Sequence, residues 1–264
     1  MKTKMQHVIA FVTGGTSGIG RAIVERIINQ GGKAAILDRA VEGRKLAEEL
    51  GANAIFCKVD VTSEEDVQQA LTQVKEQFGG INVVINCAGI AIVHHPYDFE
   101  TETAHPLEIY RKVMDVNALG TFNVTRLAAG VMAANMPDEN QQRGLFINIV
   151  SIWAHDAPSC GVAYAASKAA VRGMTIPLAR SFAPKGIRVV TIAPGYVDTP
   201  MAIERRRNEA LHKITIAGLL TPKRMAFPDE IAHLAQCIIE NPYINAVNME
   251  ISGGFHYIRT KEEI

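Results

Sequence analysis

The 264-residue sequence carries no net formal charge and has no long apolar run. Lys plus Arg and Asp plus Glu each number 27, so the chain as a whole has no electrostatic attraction to nucleic acid or to an anionic membrane. No apolar stretch approaches the roughly 18 residues that a membrane-spanning helix requires. We therefore expect neither a nucleic-acid-binding protein nor a membrane protein.

Metal-binding and disulfide-forming patterns are also missing. The sequence has four cysteines and no Cys-x-x-Cys pair, which argues against a disulfide framework and a zinc site. His94 and His95 are adjacent, and no carboxylate or cysteine pattern completes a metal site around them. The first strand-like run begins at His7, which leaves no room for a signal peptide before it. We expect a soluble, cytoplasmic protein without a metal.

What is present is an alternation of short apolar runs and longer helix-periodic stretches. The runs are apolar throughout, as in strands that helices bury on both faces. The predicted strands are Val8–Thr13, Lys33–Leu37, Ala54–Lys58, Val83–Asn86, Leu145–Val150, Arg188–Ile192 and Asn248–Ile251. The predicted helices are Ile19–Gln30, Arg44–Leu50, Glu64–Phe78, Pro106–Ala134, Tyr164–Phe182 and Pro228–Glu240.

The alternation of predicted strands and helices indicates an α/β fold. We expect a doubly wound (Rossmann) parallel sheet of about seven strands, flanked by helices on both faces. No linker or composition shift divides the chain, so residues 1–264 are predicted to form one dinucleotide-binding and catalytic domain. Two irregular excursions interrupt it, His94–His105 and residues 199–227, and we interpret the second as a substrate lid.

A glycine-rich segment follows the first predicted strand and opens the first helix. Glycines there let the backbone approach a pyrophosphate, whose charge the helix amides favour. An ordinary tight turn is the simpler interpretation of such a segment alone. The candidate cofactor-binding residues in it are Gly14, Ser17, Gly18, Ile19 and Gly20.

Asp38 ends the second predicted strand, where a carboxylate can accept hydrogen bonds from an adenosine ribose and repel a 2′-phosphate. This favours NAD over NADP, although the neighbouring Arg39 could accommodate that phosphate. Ligands of open α/β sheets bind beyond the carboxyl ends of the strands. Further cofactor-binding candidates at those ends are Asp60, Val61, Asn86, Ala88 and Gly89.

Ser151, Tyr164 and Lys168 suggest proton-transfer chemistry. Tyr164 and Lys168 lie one helical turn apart, and Ser151 follows a predicted strand on the same edge. A free phenol, with a pKa of about 10, is a poor base at neutral pH. We expect the lysine ammonium to lower that pKa, so that Tyr164 exchanges a proton with an alcohol or ketone while Ser151 binds the reacting oxygen. A single such pair would more often be a solvated helix face.

Together these motifs resemble the short-chain dehydrogenase/reductase family over essentially the whole chain. The resemblance rests on the Thr13–Gly20 loop, the Asn86–Gly89 turn and the Tyr164–Lys168 run. It implies that Asn117 holds a water for proton relay to Lys168, and that Tyr164 and Lys168 also contact the nicotinamide ribose. It further implies cofactor contacts from Pro194, Gly195, Val197 and Thr199, and a homotetramer.

Within the family, the chain looks most similar to the type 2 3-hydroxyacyl-CoA dehydrogenases. The resemblance implies a 3-hydroxyacyl-CoA or related substrate; a hydroxysteroid or a small cyclic alcohol or ketone is the alternative. In the predicted lid, Arg205–Arg207 are either a solvated helix face or a landing site for CoA phosphates. The alternative outside the enzymes is a catalytically silent nucleotide-binding regulatory protein.

Overall fold

The computed structural model describes residues 5–256; residues 1–4 and 257–264 of the predicted domain lie outside the described residues. In chain order the strands are β1 (Ile9–Thr13), β2 (Lys33–Asp38), β3 (Ala54–Lys58), β4 (Val83–Asn86), β5 (Tyr97–Asp98), β6 (Thr103–Ala104), β7 (Gly144–Ile149), β8 (Ile187–Pro194) and β9 (Asn248–Ile251). The α-helices are α1 (Gly18–Asn29), α2 (Gly43–Leu50), α3 (Glu64–Phe78), α4 (Leu107–Met114), α5 (Gly120–Ala133), α6 (Val162–Phe182), α7 (Ile203–Arg207), α8 (Glu209–Gly218) and α9 (Pro228–Glu240).

Seven strands form one parallel sheet in the order β3-β2-β1-β4-β7-β8-β9, which confirms the predicted doubly wound α/β fold. The strand order changes direction between β1 and β4, where a crevice opens beyond the strand ends. The register places Thr13 of β1 beside Leu37 of β2 and Asn86 of β4. The segments after these three strands therefore meet at one edge.

Alternate residues of the strands face two separate cores. Phe11 of β1 packs among residues of α3, α5 and α6, while Ala10 and Val12 pack on the opposite face among residues of α1, α2 and α9. Since both faces are covered, the strands are apolar along their whole length, as the sequence predicted.

Local signals fix several helix ends. The side chain of Ser63 accepts a hydrogen bond from the Asp66 N–H at 3.1 Å and begins α3. Pro228 occupies the first position of α9.

The continuous helix predicted over Pro106–Ala134 is wrong in detail. A π-helical segment, Asp115–Leu119, separates α4 from α5. The apolar periodicity of the sequence does not distinguish this wider turn from an α-helical one. Gly120, which follows the segment, packs so closely on Val61 that an added Cβ would lie 2.5 Å from the Val61 side chain.

The two excursions have regular parts. Residues 94–105 contain the short antiparallel hairpin of β5 and β6. Residues 199–227, which we call the lid segment, contain α7 and α8, and Ala226 forms a bridge with Val197.

Candidate active site

The glycine-rich loop connects β1 to α1 at the sheet edge where the strand order changes. Gly14 has a φ of +65°, and a Cβ there would lie 2.9 Å from the Ala88 backbone. Gly18 has a φ of +53°, and its Cα faces the Thr199 side chain. A side chain at Gly20 would collide with the carbonyl of Gly14. The loop therefore requires glycine for close approach as well as for backbone conformation.

Asp38 faces this loop from the end of β2. Its carboxylate accepts hydrogen bonds from the backbone N–H groups of Thr16, at 3.3 Å, and Ala40, at 3.1 Å. Arg39 turns away from it, and the Arg39 Nε lies 3.6 Å from the Asp60 carboxylate.

Asp60 itself is held by its neighbours. Its carboxylate accepts hydrogen bonds from the Thr62 N–H and hydroxyl, at 3.0 and 2.7 Å. Partial burial acts to raise the pKa of Asp60, but the Thr62 hydrogen bonds and the Arg39 charge together hold it below its usual value. The adjacent Val61 is buried, and its carbonyl accepts a hydrogen bond from Asn123.

Hydrogen bonds to a side chain of β1 hold the turn that follows β4. The Thr13 hydroxyl accepts hydrogen bonds from the N–H groups of Cys87 and Ala88, both at 3.1 Å. The Asn86 side chain is buried and donates to Thr125 and Asn148. The Asn86 side chain thus links β4 to β7 and α5.

Asn117, in the π-helical segment, joins this turn to α6. Its side chain accepts a hydrogen bond from the Ile90 N–H at 2.8 Å and donates to the Ile90 carbonyl at 2.9 Å. It also donates to Ser167 at 2.9 Å, and the Ser167 hydroxyl in turn donates to the Tyr164 carbonyl at 2.7 Å. Sequence reasoning assigned no role to Ser167. Its position directly before Lys168 is the one signal that could have drawn attention to it.

Ser151, Tyr164 and Lys168 are brought together at the carboxyl end of β7. The Lys168 Nζ lies 5.6 Å from the centre of the Tyr164 ring and donates a hydrogen bond to the Ile149 carbonyl at 3.0 Å. The Ser151 hydroxyl accepts a hydrogen bond from the Trp153 N–H at 3.2 Å, and its side chain lies within hydrogen-bonding reach of Tyr164. A Cβ on Gly89 would lie 3.4 Å from the Lys168 Nζ, so the β4 turn forms the opposite wall.

The predicted lowering of the phenol pKa is wrong for this structure. Burial raises the pKa of Tyr164 to about 12, because the phenolate loses hydration, and the hydrogen bond from Ser151 opposes this only in part. Burial also lowers the pKa of Lys168 to about 8, with the nearby Cys87 opposing the shift. The pair therefore combines a neutral phenol with an amine that loses its charge only slightly above neutral pH.

The segment after β8 lines the same crevice. The Gly195 N–H donates to the Ile251 carbonyl at 2.9 Å, and a Cβ on Gly195 would collide with Ser252. Thr199 packs on Gly18, which brings this segment onto the glycine-rich loop. Pro194 is the last residue of β8, and Val197 is buried.

Two of the three arginines of α7 have partners within the chain. The Arg205 guanidinium lies 4.8 Å from the centre of the Tyr196 ring and donates to Thr215 at 3.1 Å. Arg206 pairs with Asp198 at 3.0 Å. Arg207 is exposed.

Two features found in other classes of protein do not occur between residues 5 and 256. None of the helices described there is both long and apolar enough to cross a membrane. No group of three or more His, Cys, Asp or Glu side chains in that range is arranged to hold a metal ion.

The family model described as "short chain dehydrogenase" matches residues 8–210. The chain belongs to the short-chain dehydrogenase family. It is 44% identical to human 3-hydroxyacyl-CoA dehydrogenase type-2, over 94% of this chain and 95% of the human protein. It is 34% identical to the ipsdienol dehydrogenase of Ips pini, over 96% and 98% of the two chains. The crystal structure of a 3-hydroxyacyl-CoA dehydrogenase type-2 from Mycobacterium avium superimposes with a TM-score of 0.88 at 34% identity, covering 97% and 99% of the two chains.

Membership in the short-chain dehydrogenase family makes this protein an oxidoreductase that uses a nicotinamide dinucleotide, NAD or NADP, on small-molecule substrates. These relatives are themselves named as dehydrogenases, so a catalytically silent regulatory protein is not favoured.

Proposed function

We propose that this protein is an NAD-dependent dehydrogenase that interconverts a secondary alcohol and a ketone. The observation that carries the proposal is the position of the buried Lys168 Nζ, 5.6 Å from the centre of the Tyr164 ring, with Ser151 following the neighbouring strand β7. The catalytic residues are Ser151, Tyr164 and Lys168, with Asn117 supporting the last two.

The residues at the crevice fit a dinucleotide. The loop Gly14–Gly20 has no room for side chains at three positions, and the buried hydroxyl of Thr16 lacks a protein partner among the described residues. The Asp38 carboxylate suits a ribose diol and opposes a 2′-phosphate. Because Arg39 is paired with Asp60, its attraction for that phosphate is partly neutralised. Both observations support NAD over NADP.

The chain's own residues account for the movement of the proton. When bound, the nicotinamide supplies a hydride to a ketone or accepts one from an alcohol. During reduction, the neutral Tyr164 hydroxyl donates its proton to the ketone oxygen, which Ser151 holds by a hydrogen bond. The positive charge of Lys168 then stabilises the phenolate that remains. During oxidation the phenolate accepts the alcohol proton.

Asn117 and Ser167 maintain this geometry. Asn117 fixes the Ile90 backbone and Ser167, and Ser167 fixes the carbonyl of Tyr164. One side chain thus sets the distance between the β4 turn and the first turn of α6. Such placement matters because proton and hydride transfer both need reacting atoms held to within fractions of an ångström.

For the substrate we propose a 3-hydroxyacyl-CoA or a related hydroxy compound, supported by the identity to the type-2 enzymes. The ipsdienol relative favours a smaller alcohol as the second candidate. The test is a comparison of kcat/KM for acetoacetyl-CoA and for simple cyclic ketones. A clear preference for the thioester supports the first candidate, and the absence of any preference contradicts it.

The lid segment and the assembly complete the proposal. We place residues 199–227 over the substrate, with Arg207 as the α7 arginine that contacts a CoA phosphate, since Arg205 and Arg206 have partners in the chain. Arg224, the fourth arginine of the lid segment, pairs with Glu230. Exposed apolar side chains on α4, on α5 and on α6 suit the interfaces of a cytoplasmic homotetramer. They are Leu107, Phe122, Val162 and Ile176.

A further inference from the structure

Trp153 lies between the candidate proton donor and the lid segment. Its indole meets the Tyr164 ring edge to face, with ring centres 5.6 Å apart and planes at 86°. On its other side the indole N–H donates a hydrogen bond to the Tyr196 hydroxyl at 3.3 Å, and those two rings are also edge to face. The half-buried Trp153 thus touches Tyr164 through its ring and Ser151 through its backbone N–H.

Several contacts leave the indole little room to move. Gly161 lies under it, so closely that a Cβ there would be 3.0 Å from the indole ring. Trp153 and Tyr196 also pack against a small apolar cluster that is separate from the two main cores. Its members are Ile152, Leu219 and Phe255, together with Ile216 of α8.

The lid segment reaches this cluster through Tyr196. Arg205 of α7 stacks on the Tyr196 ring and donates to Thr215 of α8, so one guanidinium joins both lid helices to that ring. A continuous series of contacts therefore runs from Arg205 through Tyr196 and Trp153 to Tyr164.

We propose that Trp153 is a positioning residue that fixes the Tyr164 phenol for proton transfer and couples it to the lid segment through Tyr196 and Arg205. The inference rests on the proposed function, in which Tyr164 transfers the proton. The edge-to-face contact with Trp153 restricts the tilt of the Tyr164 ring. The contact with Tyr196, on the other side of the indole, keeps the indole itself from moving. The same indole keeps water from one side of the phenol, which contributes to the burial that raises the pKa of Tyr164.

The test compares Trp153→Ala and Trp153→Phe with Tyr243→Ala, a matched control that removes an aromatic ring which is 96% exposed. For ketone reduction we expect Trp153→Ala to lower kcat by about 10- to 100-fold, the usual scale for misplaced reacting groups. Trp153→Phe restores most of the rate because it keeps an aromatic edge against Tyr164. NADH affinity, measured by its fluorescence, stays unchanged in all three variants.

Two further readouts separate positioning from a general loss of structure. Trp153→Ala should move the rising limb of alcohol oxidation to lower pH, because water then reaches the phenolate. Arg205→Met should slow the otherwise unaltered enzyme but have no further effect in the Trp153→Ala background, since the two residues act along one path. An unchanged kcat and pH profile in Trp153→Ala, or equal effects of Arg205→Met in both backgrounds, would contradict the proposal.

If Trp153→Ala fails to bind NADH, Trp153→Phe and Tyr196→Phe carry the test, because each removes the same indole hydrogen bond. We expect each to lower kcat by the same small factor, since the aromatic edge against Tyr164 remains, and the double variant to be no slower than either one. Additive effects would contradict the proposal. Tyr164→Phe is measured alongside: if it is active, the proposed function fails, whereas an inactive Tyr164→Phe with a normal Trp153→Ala overturns only the inference about Trp153.

Discussion

Arg39 points its guanidinium at the carboxylate of Asp60, with Nε 3.6 Å from Oδ2, and not toward the neighbouring Asp38. The arginine is largely exposed, so the pair is weak and easily released. Its orientation bears on which dinucleotide the crevice accepts.

The first prediction concerns this cofactor preference. Asp38→Asn removes the charge that repels a 2′-phosphate and keeps one side-chain oxygen. The Thr16 and Ala40 N–H groups bond different oxygens of Asp38, so the variant keeps an acceptor for one of them. We expect the ratio of kcat/KM for NAD to that for NADP to fall by at least about tenfold, which corresponds to about 1.4 kcal/mol. Adding Asp60→Asn frees Arg39 and should lower the ratio further, while Lys75→Gln, an exposed lysine in the last turn of α3, serves as the control. An unchanged ratio in the double variant would contradict the assignment.

The second prediction concerns the stability cost of Lys168. This side chain is only 5% exposed, and burial lowers its pKa from 10.5 to about 8. Between these values the unfolded chain binds more protons than the folded one, so the contribution of Lys168 to stability rises with pH and its cost is full below pH 8.

Lys168→Met should therefore abolish most activity and raise the free energy of unfolding at pH 7, by about 1 to 3 kcal/mol. The gain should shrink as the pH rises from 8 toward 10.5. Denaturant unfolding at several pH values measures it. A variant that is less stable than the natural protein at pH 7 would count against this account.

The third prediction is that the two directions of the reaction depend on pH in opposite ways. Oxidation needs the phenolate of Tyr164, whose pKa is raised to about 12, so its rate should rise with pH across the neutral and alkaline range. Reduction should decline as the pH passes about 8, where Lys168 loses the charge that stabilises the phenolate. Ser151→Ala should displace the oxidation profile to still higher pH, because its hydrogen bond lowers the pKa of Tyr164. Reduction that is constant from pH 7 to 9 would exclude this role for Lys168.

The fourth prediction concerns assembly. Phe122 is 42% exposed and Leu119 is 52% exposed beside it, although both are apolar. Light scattering should give four times the 28.7 kDa chain mass, and Phe122→Glu should reduce that mass by burying a charge in an interface. A monomeric mass for the natural chain would contradict the proposed tetramer.

Much of the fold could be predicted from the sequence because local signals and tertiary structure agree. Ala54–Lys58, Val83–Asn86 and Glu64–Phe78 have the predicted boundaries. The π-helical segment around Asn117 could not be predicted, because the spacing of apolar residues is the same for one wider turn within a long helix.

The candidate site shows a similar division. Motif spacing placed Ser151, Tyr164 and Lys168 together, and the structure has them in contact range. The predicted direction of the Tyr164 pKa shift was wrong because Lys168 is visible in the sequence, whereas the burial that raises this pKa depends on the whole fold. The indole of Trp153 and the hydroxyl of Ser167 contribute through contacts that no spacing rule encodes.

The most direct test of the proposed mechanism is the turnover of Tyr164→Phe, measured in both directions with NAD or NADH on the best substrate of the panel. The substitution removes one hydroxyl and keeps the ring that packs on Trp153, so NADH binding should persist. We expect kcat to fall by at least about 10²-fold, as for the loss of a general acid or base. A purified variant with near-normal kcat would contradict the assignment of Tyr164 as the proton-transferring group.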